Sequence, residues 1–203
     1  MPVTHTRGMG YHLRAFLLGL ALAASAFSPG LARAHPKSAA AGPDVICQVK
    51  AAFLLNFIRF VDWPADTSRT PAGSWQVAVL GDSCFAHALS HLVAGKTVKD
   101  RSLTVRSVKR LEDAYPCHAL FVGPGTDANV RAAAAPDSGR AILTVGEQGI
   151  FARSGGMIWF LVGEDRVRFA INKDAARRAG LKVSSKLLDL AVVVRDADRG
   201  ARR

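Results

Sequence analysis

Past its first 34 residues this 203-residue sequence has no apolar run approaching the ~20 residues that a helix needs to cross a bilayer. It also lacks the loops that cradle phosphates. Gly81-Asp82-Ser83 and Gly123-Pro124-Gly125 fit neither G-x-G-x-x-G nor the P-loop pattern and read as ordinary strand-to-helix turns. The third strand-like run, Leu120-Phe121-Val122-Gly123, ends without the acceptor aspartate of a phospho-receiver. No serine stands in G-x-S-x-G, and neither Ser83, Ser184, Ser185 nor any cysteine has an obvious histidine and acid beside it. Glu112 and Asp113 are adjacent and should point in different directions, so they read as surface acids rather than an acid–base pair. We therefore expect no enzyme, no catalytic residues and no cofactor.

Acidic residues are in deficit, 16 against 27 lysines and arginines, which leaves a formal net charge of +11. Much of the excess lies in short clusters such as Lys109-Arg110, Arg177-Arg178 and the stretch from Arg199 to Arg203. A solvated basic surface is the first reading, with attraction to anionic lipid or to an acidic partner second. Nucleic acid is not expected, because neither a recognition motif nor an aromatic stacking platform accompanies the charge.

What the sequence does contain, at its start, is an export signal. Arg7 and Arg14 precede the apolar run from Ala15 to Ala26, then Ser28-Pro29-Gly30, then Ala32-Arg33-Ala34. These are a charged region, a short apolar core and an A-x-A cleavage site in order. Twin arginines are absent, so Sec-type export with cleavage after Ala34 and a soluble product outside the cytoplasm is expected. The remaining chain carries 24 basic and 16 acidic residues, a net +8, and is long enough for one domain with a substantial core. We divide it into a small, polar, disordered leader at 35–43, an α/β domain at 44–195 and a basic tail at 196–203.

Within the domain, Val45, Ile46, Val49, Ala52, Phe53, Asn56, Phe57 and Phe60 recur at helical steps, with Asp44 as N-cap, and the helix should end near Trp63-Pro64. Strand-like runs follow at Gln76 to Leu80, Leu103 to Val108, Ala119 to Val122 and Ile142 to Val145, with helices expected from Ser83 to Val93 and from Asp127 to Ala134. Such alternation implies a mostly parallel sheet covered on both faces. After Gly155-Gly156, Met157 to Val162 and Val167 to Ile171 are separated only by Gly163 to Arg166, which reads as an antiparallel hairpin finishing the sheet. Two short helices should follow, Lys173 to Ala179 closed by Gly180, and Ser185 to Leu190 opened by Ser184. The expected fold class is thus a three-layer α/β domain with a mostly parallel sheet ending in an antiparallel hairpin.

Cys84, His87 and His91 share one helix face at i, i+3 and i+7. The outer two Cα atoms are about 10 Å apart along the axis, too far for a three-ligand zinc site with ligand atoms at about 2 Å. No metal centre is expected; only a two-ligand site from His87 and His91 stays open beside the reading of partly exposed helix histidines. The three cysteines permit at most one intramolecular bridge. Cys84 follows the carboxyl end of one strand and Cys117 begins a parallel neighbour, so the two should sit at opposite ends of the sheet, beyond the ~7 Å span of a disulfide. A first helix antiparallel to the first strand would bring Cys47 toward Cys84, the preferred pair, leaving Cys117 as a buried, unreactive thiol. The candidate binding surface is where Trp63 and Pro64 could approach Lys182, Ser184 and Ser185. There a helix start and a lysine would favour an anion beside a flat indole. The same residues also read as a capped helix and a core-edge tryptophan.

Val49-Lys50-Ala51-Ala52-Phe53-Leu54-Leu55-Asn56-Phe57, Val61-Asp62-Trp63-Pro64, Cys117-His118-Ala119-Leu120-Phe121-Val122, Gly155-Gly156-Met157-Ile158, Val167 to Asn172 and Ala179 to Ala191 together resemble the YfiR family of periplasmic proteins, from about Asp44 to Arg195. The resemblance implies a Rossmann-like domain, often a homodimer, that represses an inner-membrane diguanylate cyclase by binding its periplasmic region and so lowers cyclic di-GMP. It also implies relief by an OmpA-like outer-membrane lipoprotein and modulation by disulfide state; of the three cysteines, Cys117 alone matches a family cysteine position. A periplasmic sensor or carrier for a small anionic metabolite is the alternative function.

Overall fold

In the computed structural model, residues 42–64, 73–125, 141–147, 150–163 and 166–195 are described. The export signal, the leader up to residue 41, the helix expected from Asp127 to Ala134 and the basic tail lie outside them. The first helix, α1, spans Pro43–Phe60. Gly42 rather than Asp44 is its N-cap: Pro43 takes the first turn, where its fixed φ and missing N–H cost nothing, and Asp44 sits in that turn as a favourable charge. The buried stripe of α1 runs through Cys47, Lys50, Ala51, Leu54, Phe57 and Ile58, while Val45 and Val49 are exposed. Phe53 and Phe57 pack against Phe160 and Phe169, with Phe57 stacked on Phe160 and meeting Phe169 edge-on at a centroid distance of 4.9 Å.

After α1 come β1 (Val61–Asp62), β2 (Ser74–Leu80), α2 (Ser83–Val93), β3 (Thr97–Val98), β4 (Arg101–Val108), a 3-10 turn (Glu112–Ala114), β5 (Ala119–Val122) and β6 (Leu143–Glu147). Then follow α3 (Ile150–Arg153), β7 (Ile158–Val162), β8 (Val167–Asn172), α4 (Lys173–Arg178), β9 (Lys182–Val183), α5 (Ser185–Leu188) and β10 (Val192–Val194). The main sheet has the order β10-β8-β7-β6-β5-β2-β4-β3. Strands β4, β2, β5, β6 and β7 are mutually parallel, and β7 and β8 form the expected antiparallel hairpin. Beyond that hairpin β10 adds a strand parallel to β8, a position the sequence reading did not anticipate.

Alternation along the central strands divides the core in two. Trp75, Val77 and Val79 of β2, with Ala119 and Phe121 of β5, face the cluster under α1 and α2. Ala78, Leu80, Leu120 and Val122 face a second cluster containing Leu111, Cys117, Phe151 and Trp159. Burial on both faces is why these strands read as continuous apolar runs. Gly146 and Gly156 bracket the Phe151 ring so closely that a Cβ on either would collide with it. Both expected short helices form. Asn172 caps α4 by accepting a hydrogen bond from Ala175 N–H, and Gly180 at φ +75 closes it. The second helix is a single turn ending at Leu188 rather than Leu190, and the Ser184 hydroxyl makes no capping bond.

Candidate functional site

In an open parallel sheet, ligands bind outside the carboxyl ends of the strands, where the strand order reverses. Here that point lies between β2 and β5, since β4 follows β2 on one side and β5 returns to the other. Packing closes it. A Cβ on Gly123 would stand 2.8 Å from Asp82 Cβ and 2.9 Å from the Gly81 carbonyl carbon, so the two turns touch where a phosphate would have to enter. Asp82 instead spends its carboxylate capping α2, accepting from Phe85 N–H at 2.9 Å.

Pairing of β1 with β9 assembles the surface expected around Trp63. Val61 lies opposite Val183 and Asp62 opposite Lys182, and Ser184 N–H donates to the Phe60 carbonyl at 2.9 Å. Pro64 Cγ lies 3.5 Å from where a Gly180 Cβ would be. Trp63 and Pro64 are thus brought beside Lys182 and Ser184, while Ser185 heads α5 on the exposed side. A one-turn helix sums few peptide dipoles, so the charge available to an anion there comes from Lys182 rather than from the helix start. The Trp63 ring packs on Trp75 at 4.8 Å, and its Nε1–H is buried without a hydrogen-bond partner.

The sequence reading missed what lies behind Trp63. Trp75 meets the His118 ring edge-on at 4.9 Å, and the Arg101 guanidinium carbon lies 4.4 Å from the Trp75 ring. Trp75 Nε1 donates to Val98 O at 2.8 Å. His118 Nδ1 accepts from Gln76 N–H at 2.9 Å, which assigns the ring's proton to Nε2 when neutral. Burial, and then the Arg101 charge, push the His118 pKa down to about 4, so the imidazole is neutral at physiological pH. Lys99 Nζ reaches across to the Val61 carbonyl at 2.7 Å and to Asp62 Oδ1 at 2.6 Å, fixing β1 against the β3–β4 turn. The cluster's polar groups are spent on contacts within the fold, and among the described residues it holds no nucleophile with a base beside it.

Cys47 and Cys84 form a disulfide with Cα atoms 6.1 Å apart, tying α1 to α2, while Cys117 is buried at the start of β5. Register supports the separation expected for the other pair: Val77 lies opposite Ala119, so Cys117 is level with the amino end of β2 and Cys84 lies beyond its carboxyl end. An open cleft of about 970 Å³ beside the disulfide is lined by Asp44, Gln48, Ser83, His87, His91 and Lys96, among others. Among the described residues no group of three or more His, Cys, Asp or Glu is gathered as for a metal ion, and no helix is long and apolar enough to cross a membrane.

Fold and site together define a Rossmann-like α/β domain whose nucleotide crevice is filled by its own turns and which packs a cluster of Trp63, Trp75, His118 and Arg101 at the amino end of the central strands. The profile of the YfiR/HmsC-like family matches residues 47–192, and the chain belongs to that family.

Proposed function

We propose that this protein is a periplasmic regulatory binding protein, exported by the Sec route, that represses an inner-membrane diguanylate cyclase by binding its periplasmic region. The observation that carries this reading is the family match over residues 47–192, which contains all of the described sheet except the end of β10. The export signal at the N-terminus and the closed β2–β5 crevice support a binding role over a catalytic one. An OmpA-like outer-membrane lipoprotein that sequesters the repressor, and a homodimeric state, belong to the same proposal. Deleting the gene should raise cyclic di-GMP and biofilm mass; unchanged levels in a strain with every neighbouring cyclase intact would sink the idea.

A second reading is favoured by the Trp63 surface, where the indole N–H is buried without an acceptor on a residue next to the Asp62–Lys182 strand pair. There the domain would sense or carry a small anionic metabolite. Thermal-shift screening of the mature chain separates the two: a carrier gains about 3 kcal/mol of stability at a ligand concentration 100 times its Kd, with no protein partner present. A Trp63→Phe variant, lacking the donor, should lose that gain.

A further inference from the structure

The cleft beside the disulfide has chemistry that neither functional reading uses. His87 and His91 are both exposed on α2, one turn apart, so their side chains lie one above the other on the same face. Their ring centroids are 4.5 Å apart with the planes at 66°. Cys84, the third member of that face, is tied up in the bridge to Cys47 and is withdrawn from any ligand set.

The spacing can be compared with that of a chelate. With metal–nitrogen bonds of about 2.0–2.1 Å and each ring centroid about 1.15 Å behind its nitrogen, a centroid sits about 3.2 Å from the ion. Two imidazoles at right angles around that ion then have centroids about 4.5 Å apart, whereas tetrahedral angles would spread them to about 5.2 Å. The centroid separation of the metal-free pair equals the value for adjacent corners of a square-planar or tetragonal ion, so turning one nitrogen of each ring toward a shared point would form that chelate without moving the helix. This is the geometry favoured by Cu(II) and Ni(II) among N-ligated metals.

We propose that His87 and His91 form a two-ligand site for a divalent transition metal of the copper and nickel class, with copper bound most tightly. The cleft is open at about 970 Å³, which gives an ion an entry path and leaves its other coordination positions to water. Asp44, on the same cleft wall with a carboxylate oxygen 3.9 Å from Cys84 Sγ, supplies a compensating negative charge, and Lys96 a weaker opposing one. Nothing in the site depends on a cyclase or on the Trp63 surface.

Titration of the metal-free mature chain with Cu²⁺, followed by calorimetry and by electron paramagnetic resonance, tests this. The amino-terminal His35 of the mature chain can itself bind copper, so the readout is stoichiometry. The native chain should take up one more equivalent than a His87→Ala/His91→Ala double variant, and that equivalent should show two equatorial nitrogen ligands. Each single variant should weaken it at least about tenfold, and Ni²⁺ and Zn²⁺ should each bind less tightly than Cu²⁺, as the Irving–Williams order requires. Equal numbers of equivalents in the native chain and the double variant would overturn the proposal. Both residues are exposed, so the metal-free variants should melt with the native chain, which separates loss of the site from loss of fold.

Discussion

At the scale of single residues, two polar side chains are placed where only the tertiary fold accounts for them. His118 is 2% exposed, wedged between Trp75 and Arg101, and must stay neutral to remain there. Its pKa falls from 6.5 in the unfolded chain to about 4 in the fold, so the unfolded state binds the extra proton. The stability this contributes is fully present above pH 6.5 and is lost as the pH drops from there toward 4. We expect about 2 kcal/mol to disappear between pH 7 and pH 4.5 in urea melts. A His118→Gln variant, which cannot titrate, should show a correspondingly flatter pH profile. Lys50 is the other case: it lies on the apolar stripe of α1 and meets Glu147, at the end of β6, with Nζ 2.6 Å from Oε1. The helical steps read from the sequence ran through Val45, Val49, Ala52 and Phe53 instead, of which Val45 and Val49 are exposed, so neither the lysine's place on the buried face nor its partner 97 residues later was legible.

At the scale of elements, α1, α2 and the central strands were readable because each repeats its pattern over two turns of helix or four or more residues of strand. The elements missed were β1, β3, β9 and β10, two or three residues long, and α3, a single turn, all too short for any period to show. Yet β1 and β9 are the pair that assembles the Trp63 surface. The disulfide belongs to this scale because it joins two helices. Its pairing could be argued from the direction in which a helix must return over a parallel strand, and it closes a separation of 37 residues. Chain entropy for a loop of that size implies that Cys47→Ala/Cys84→Ala should cost about 3–4 kcal/mol in denaturant melts under oxidising conditions. A loss below about 1 kcal/mol would show that α1 and α2 are held together by packing and that the bridge is incidental.

At the scale of the whole molecule, local chemistry in the sequence determined the class of fold: apolar runs too short for a membrane, strands alternating with helices, and turn residues where the chain reverses. It also determined the family, through motifs strung in order from Val49 to Ala191. These properties are written along the chain, so neighbours in sequence suffice to read them. Tertiary structure alone decided which ends of the sheet are open. It closed the β2–β5 crevice by bringing Gly123 against Gly81 and Asp82, 41 or more residues away, and it packed Trp63 on Trp75, and Trp75 in turn on His118, at the amino end of the central strands. It also turned a face of three metal-binding side chains into a pair, because the bridge from Cys47 claims Cys84. The physical reason is the same in each case: burial, ring contact and disulfide formation depend on distances between residues far apart in the chain, and those distances exist only after the sheet has brought them together.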